Sequence, residues 1–289
     1  MLRLVASLAA VGCCGLGCTR RVGQGGSPAP RAGWVWGVTV TDPWNTGPTV
    51  AALGALSRRP TARVVFDERE PAAGYVPVVA AIRGAADVMG ELLDSQYVAT
   101  VSVQQYLDRT REYLDALGAS VDVWEVGNEV NGEWLGAAAD VVAKVRGAWQ
   151  LVRARGGRTA LTLHYDEGCG APADHEMFAW VEAQLPAELR GGLDWVLVSY
   201  YEDDCHGRQP DWAAVFARLA TLFPGARLGI GECGTAVAGA KEAMLRRYYG
   251  MRLAEPRFIG GFFWWHFNED MVPATTPLWS SLDEVLRAP

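Results

Sequence analysis

VDVWEVGNEVNGEW, residues 121–134, begins as a strand and ends as a polar loop. Valine and tryptophan dominate its first half, as suits a strand covered on both faces. Three glutamates, Glu125, Glu129 and Glu133, recur at every fourth position. An extended chain advances about 3.3 Å per residue, so Glu125 is expected about 13 Å deeper along the strand than Glu129. If this strand belongs to a closed parallel barrel, Glu129 falls at the C-terminal mouth, where such barrels carry their chemistry. Glu125 is then a buried acid paired with an arginine. Glu133 is read as a solvated loop acid, with a helix cap or a ligand contact as the alternatives.

Seven further segments read as strands: 34–41, 62–67, 86–92, 159–165, 193–200, 226–232 and 258–265. With 121–127 they make eight apolar runs. Helical patterns lie between them, notably over 103–118 and 137–157, and Asp211 begins another as an N-cap. Eight strand–helix pairs predict an α/β fold, a single (β/α)8 barrel spanning 34–289. An open doubly wound sheet is the alternative, but no glycine-rich phosphate loop follows the first strand, where the chain reads TDPWNTGP, which argues against a dinucleotide fold. The formal charge of −7 argues against nucleic acid as a partner.

Residues 1–18, MLRLVASLAAVGCCGLGC, read as an export signal with Arg3 ahead of a short apolar run. GLGC resembles a bacterial lipobox, with Cys18 as the lipidated residue and Cys13 as the competing site. Residues 19–33 are polar and rich in Gly and Pro, a tether. The expectation is a membrane contact through an N-terminal lipid anchor alone, on the bacterial cell envelope.

A second acid, Glu232, ends the seventh strand run in GIGECG. Strands four and seven face each other across a small barrel, so Glu129 and Glu232 can converge. Two carboxyls with separated pKa values are what glycoside cleavage needs. WEVGNE, with Glu232 on strand seven, resembles the retaining (β/α)8 glycoside hydrolases of clan A. The resemblance implies hydrolysis of a β-linked oligo- or polysaccharide with no cofactor and no metal. It makes Glu129 the acid/base and Glu232 the nucleophile, with Asn128 touching the sugar. By the same resemblance Tyr200 hydrogen-bonds the nucleophile and His164 belongs to the site. Trp264 or Trp265 forms a sugar platform. Trp44 and Arg69, after strands one and two, are further sugar contacts, beside Asp67. A monomer is expected.

Two other readings compete. His164, Asp166, Glu167, Cys169, Asp203, Asp204, Cys205 and His206 are ligand types that zinc accepts, though their spacing matches no tight zinc motif. Export favours instead a disulfide joining Cys169 to Cys205, with Cys233 free. A glycan-binding lipoprotein without catalysis would keep the aromatics but would not need both glutamates.

Overall fold

The computed structural model describes residues 33–288. The signal segment, nearly all of the tether, Cys13 and Cys18 lie outside the described residues. Eight parallel strands close into one barrel in chain order. They are β1 (Val35–Val40), β2 (Thr61–Val65), β3 (Asp87–Glu91), β4 (Val123–Glu125), β5 (Thr159–His164), β6 (Trp195–Ser199), β7 (Arg227–Glu232) and β8 (Phe258–Trp264). Each falls on a segment expected from the sequence. Helices return the chain between strands, among them Ala72–Ala85, Val103–Leu117, Ala138–Ala154 and Trp212–Leu222. The helix Val103–Leu117 starts in a capping box between Ser102 and Gln105. Asp211 accepts from the Ala214 N–H at 3.1 Å and so starts Trp212–Leu222.

The core has two compartments. A large apolar layer fills the space between strands and helices. A smaller cluster, including Met89, Val123, Ala160, Leu197 and Phe263, fills the barrel itself. Side chains two apart on a strand share a face. Two residues beyond Met89, Val123 and Ala160 stand Glu91, Glu125 and Thr162, all buried. The barrel interior is therefore apolar below and ionic above.

One irregularity positions the site. On β7, Leu228 and Ile230 join the outer apolar layer. Strict alternation would send Glu232 outward as well. Instead the register slips: Val198 pairs with Ile230, but Ser199 pairs with Glu232. The extra residue is Gly231, and a bulge there turns Glu232 into the barrel. A Cβ on Gly231 would lie 2.6 Å from Leu197 Cβ, so the bulge demands glycine.

Candidate active site

A cavity of about 370 Å³ opens at the C-terminal end of the barrel, and Glu129 and Glu232 both line it. Glu129 follows β4 in a left-handed conformation, φ 47°. That costs a non-glycine residue about 1–2 kcal/mol. Hydrogen bonds on both sides hold it there. The Val130 N–H donates to Thr162 O at 3.2 Å, and the Gly132 N–H to Glu129 O at 2.8 Å. Its carboxylate receives Ser95 Oγ at 2.8 Å and Ser199 Oγ at 2.6 Å. His164 Nδ1 stands 3.3 Å from Glu129 Oε1. Asn128 accepts the Ser95 N–H at 3.0 Å through Oδ1, which assigns its amide. Its Nδ2 is buried without an acceptor.

Glu232 touches different chemistry. Tyr201 Oη donates to Oε1 at 2.7 Å, and Arg63 Nη1 donates to Oε2 at 2.7 Å. The tyrosine on the nucleophile candidate is thus Tyr201, not Tyr200. Alternation after β6 explains the difference. Ser199 points inward, so Tyr200 points outward and Tyr201 returns to the cavity. Tyr200 packs between Tyr165 and Trp212, and its hydroxyl donates to Arg208 O at 2.6 Å.

Trp264 and Trp265 separate in the same way. Trp264 is fully buried, and its Nε1 donates to Asp270 at 2.9 Å, so it belongs to the core. Trp265 lines the cavity. Trp44 does not line it; its Nε1 donates to Asp67 at 2.9 Å and its ring lies on Tyr75. Arg69 stands apart as well, with a side chain 88% exposed beside Glu68. The short β1 and β2 loops fold these two residues onto the rim, away from the carboxyls.

Beneath Glu232 lies a buried ion cluster. Arg63 donates through Nε to Glu125 Oε2 at 2.7 Å and through Nη2 to Glu125 Oε1 at 3.2 Å. Glu91 approaches Nη2 at 3.1 Å, and neither of its oxygens has a hydrogen-bond donor. Thr162 Oγ1 also donates to Glu125. Glu125 is thus a buried acid on an arginine. The same guanidinium links it to Glu232.

The charges follow from these partners. Burial alone would lower Arg63, but Glu125, Glu91 and Glu232 hold it well above its ordinary value. Burial pushes Glu91 well up, and Arg63 offsets only part of that. Burial likewise raises Glu232 to about 8, with the Glu129 charge adding and Arg63 and Tyr201 opposing. Burial would raise Glu129 too, but His164, Ser199 and Ser95 outweigh it and hold the carboxyl below its usual range. His164 is lowered by burial yet raised overall by Glu129. Glu129 and Glu232 thus hold one proton between them over a wide range of pH.

Several of these groups escaped the sequence reading. Arg63 left a signal, a lone arginine inside the apolar run ARVVF. Ser95, Ser199 and Trp134 left none, since loop serines and a loop tryptophan are common. Trp134 lines the cavity and meets His164 edge-on at 5.3 Å.

Cys169 and Cys205 form a disulfide, with Cα atoms 5.1 Å apart, tying the loop after β5 to the loop after β6. Asp166 lies near both sulfurs, but the disulfide engages the two thiols that a metal would need. Cys233 is free and buried next to Glu232.

No protein-family model and no curated protein matches the chain. Solved structures do match in fold. Saccharomyces cerevisiae Gas2p in complex with laminaritriose and laminaritetraose aligns at 14% identity and TM-score 0.54, over 89% of this chain and 65% of that one. Gas2p in complex with laminaripentaose aligns at 13% identity and TM-score 0.55, over 89% and 65%. The chain shares the barrel fold of Gas2p. It spans a little under two thirds of the Gas2p chain, and at this identity the likeness concerns the fold alone.

Proposed function

We propose that this protein is a retaining glycoside hydrolase for a β-linked, gluco-configured glycan, with Glu232 as nucleophile and Glu129 as acid/base. The carrying observation is the contrast between the partners of the two carboxyls. Arg63 can only donate, and Tyr201 donates beside it. Such partners suit a carboxylate that attacks carbon. Ser95, Ser199 and His164 can each donate or accept. Such partners suit a carboxyl that loses and regains a proton in every cycle.

The free site keeps its proton on Glu232, so the productive form requires that proton to move to Glu129. Glu129 gives it to the glycosidic oxygen as that C–O bond breaks, while a Glu232 oxygen bonds to the anomeric carbon. Glu129, now ionised, takes a proton from water. The water oxygen attacks the same carbon and releases Glu232. On this reading Asn128 Nδ2, which has no acceptor, donates to a sugar hydroxyl. Trp265 and Trp134 offer apolar faces to the sugar's C–H surface. The laminari-oligosaccharides bound by Gas2p are β-linked glucose chains, which supports a gluco-configured substrate. The N-terminal segment fits export and lipid anchoring at Cys18, with the catalytic domain acting as a monomer.

The test is turnover of aryl β-glycosides and laminari-oligosaccharides. A fluorosugar that forms but barely releases the covalent intermediate should label Glu232, as peptide mass spectrometry can read. A label on Glu129 would reverse the roles. Inverted product, seen by NMR, would end the retaining mechanism.

A further inference from the structure

The two ends of the barrel carry opposite charge. Segments running from a strand to the next helix of eight or more residues form the mouth, and they hold 17 acids against two arginines, Arg69 and Arg208. Segments returning from such a helix to a strand form the base. They hold seven arginines against four acids, Asp122, Glu188, Asp194 and Glu255. Those acids are already paired, with Arg83, Arg146, Arg153 and Arg257 in turn. The arginines are in excess. Arg58 and Arg158 are exposed and donate to the backbone carbonyls of Leu286 and Asp122. Among the described residues neither pairs with a carboxylate, nor do Arg190 and Arg227. The chain enters the barrel at this end. Gly33 and Trp34 line a cavity of about 160 Å³ together with Arg59, Arg158 and Arg227. The acids of that cavity, Asp87 and Asp122, belong to Arg59 and Arg83. Arg227 donates to Gly33 O, and burial and then the charge of Arg158 make its own charge harder to keep. Arg252 lies over the Trp34 ring at 4.8 Å. The patch thus surrounds the point where residues 19–33 join, and that segment adds Arg20, Arg21 and Arg31 without one acid.

A segment of that length reaches at most about 50 Å from a lipid on Cys18. That is enough for the domain to turn over, so the anchor by itself does not orient the barrel. The charges do. At physiological salt they act over about 8 Å. With the base down on anionic lipid, the arginines lie inside that layer and the mouth acids stand a barrel's height away. With the mouth down, the acids would meet the lipid phosphates. We infer that the base of the barrel docks on an anionic phospholipid surface through Arg58, Arg158, Arg190 and Arg227, and that it turns the mouth outward, toward glycan beyond the membrane. The inference rests on the reading of Cys18 as the anchor. It goes beyond the glycosidase reading, since it assigns the face opposite the cavity.

The test uses the full chain, processed in a bacterial host and reconstituted in phosphatidylcholine vesicles with or without about one third phosphatidylglycerol. Hydrogen exchange read by mass spectrometry compares the two. Base segments 55–60, 155–158 and 223–227 should exchange about fivefold or more slowly with phosphatidylglycerol, which is what one basic side chain at an anionic surface contributes. Mouth segments 165–176 and 200–211 should not change. High salt should erase the difference. The triple variant Arg58→Gln, Arg158→Gln, Arg227→Gln should erase it as well. The matching triple change to Lys should keep it, which separates lost charge from lost hydrogen bonds. The lipid and salt comparisons need no variant, so they decide the matter even where the Gln protein fails to fold. Equal exchange on both vesicles, protection of the mouth, or unchanged protection in a folded Gln variant overturns the inference. A mature chain whose mass shows no acyl groups would instead strike the Cys18 reading. The chain is then added to the same vesicles from solution. Salt-sensitive binding that needs phosphatidylglycerol and is lost in the Gln variant upholds the inference, and equal binding to both vesicles overturns it.

Discussion

Arg63→Met should be the most destructive single change in the barrel. The guanidinium is fully buried and lies 2.7 Å from Glu125, 2.7 Å from Glu232 and 3.1 Å from Glu91. Among the described residues these acids pair with no other cation, so removing it strands them. Breaking a buried pair from one side costs about 3–5 kcal/mol. A domain of this size loses about 2–4 °C of Tm per kcal/mol, so Tm should fall by about 6–20 °C. The loss should depend on pH with a definite sign. Without the cation, the buried carboxyls bind protons more tightly in the native state than in the unfolded chain. Native protein then holds more protons than unfolded protein, between the unfolded glutamate pKa near 4.3 and the raised native values. Stability therefore falls as pH rises through that window. The penalty against wild type should be smallest near pH 5 and largest near pH 8. Arg63→Lys should be intermediate, since an ammonium cannot fork to two carboxylates. Urea or thermal melts of wild type and both variants across this range decide the matter. A penalty below about 1 kcal/mol, or one equal at both ends of the range, would mean that Arg63 is not what holds the three acids.

Activity should follow a bell in pH, with the alkaline limb near 8, where Glu232 and Glu129 lose their shared proton. The acid limb should lie below the ordinary glutamate range, because Glu129 is held low; kcat/KM across pH reads both limbs. Tyr201→Phe should cut kcat by about tenfold or more by removing a donor on Glu232, whereas Tyr200→Phe should mainly cost about 1 kcal/mol of stability. Reducing the Cys169–Cys205 bond should cost about 2–5 kcal/mol, visible as a lower Tm, and a thiol titration should find Cys233 unreactive until the chain unfolds.

The barrel was legible in the sequence because doubly covered parallel strands are written as apolar runs, and eight such runs leave few alternatives. Glu129 and Glu232 were legible because each ends such a run. What could not be read was direction. Tyr200 and Tyr201, or Trp264 and Trp265, are neighbours of one residue type, and only the pleat decides which faces the cavity. The same limit governs Glu232 itself. Counted by alternation from Leu228 and Ile230 it would face the helices. The bulge at Gly231 reverses it, and the only trace in the sequence is one glycine ahead of the acid. The ion cluster was half legible. Glu125 announced a buried acid seeking an arginine, but the sequence did not show that strands two, four and seven would meet on one guanidinium. That shared contact couples function to fold. Glu125 and Glu91 never reach the cavity, but they compete with Glu232 for one positive charge. Changing either should therefore move the reactivity of a carboxyl that it does not touch.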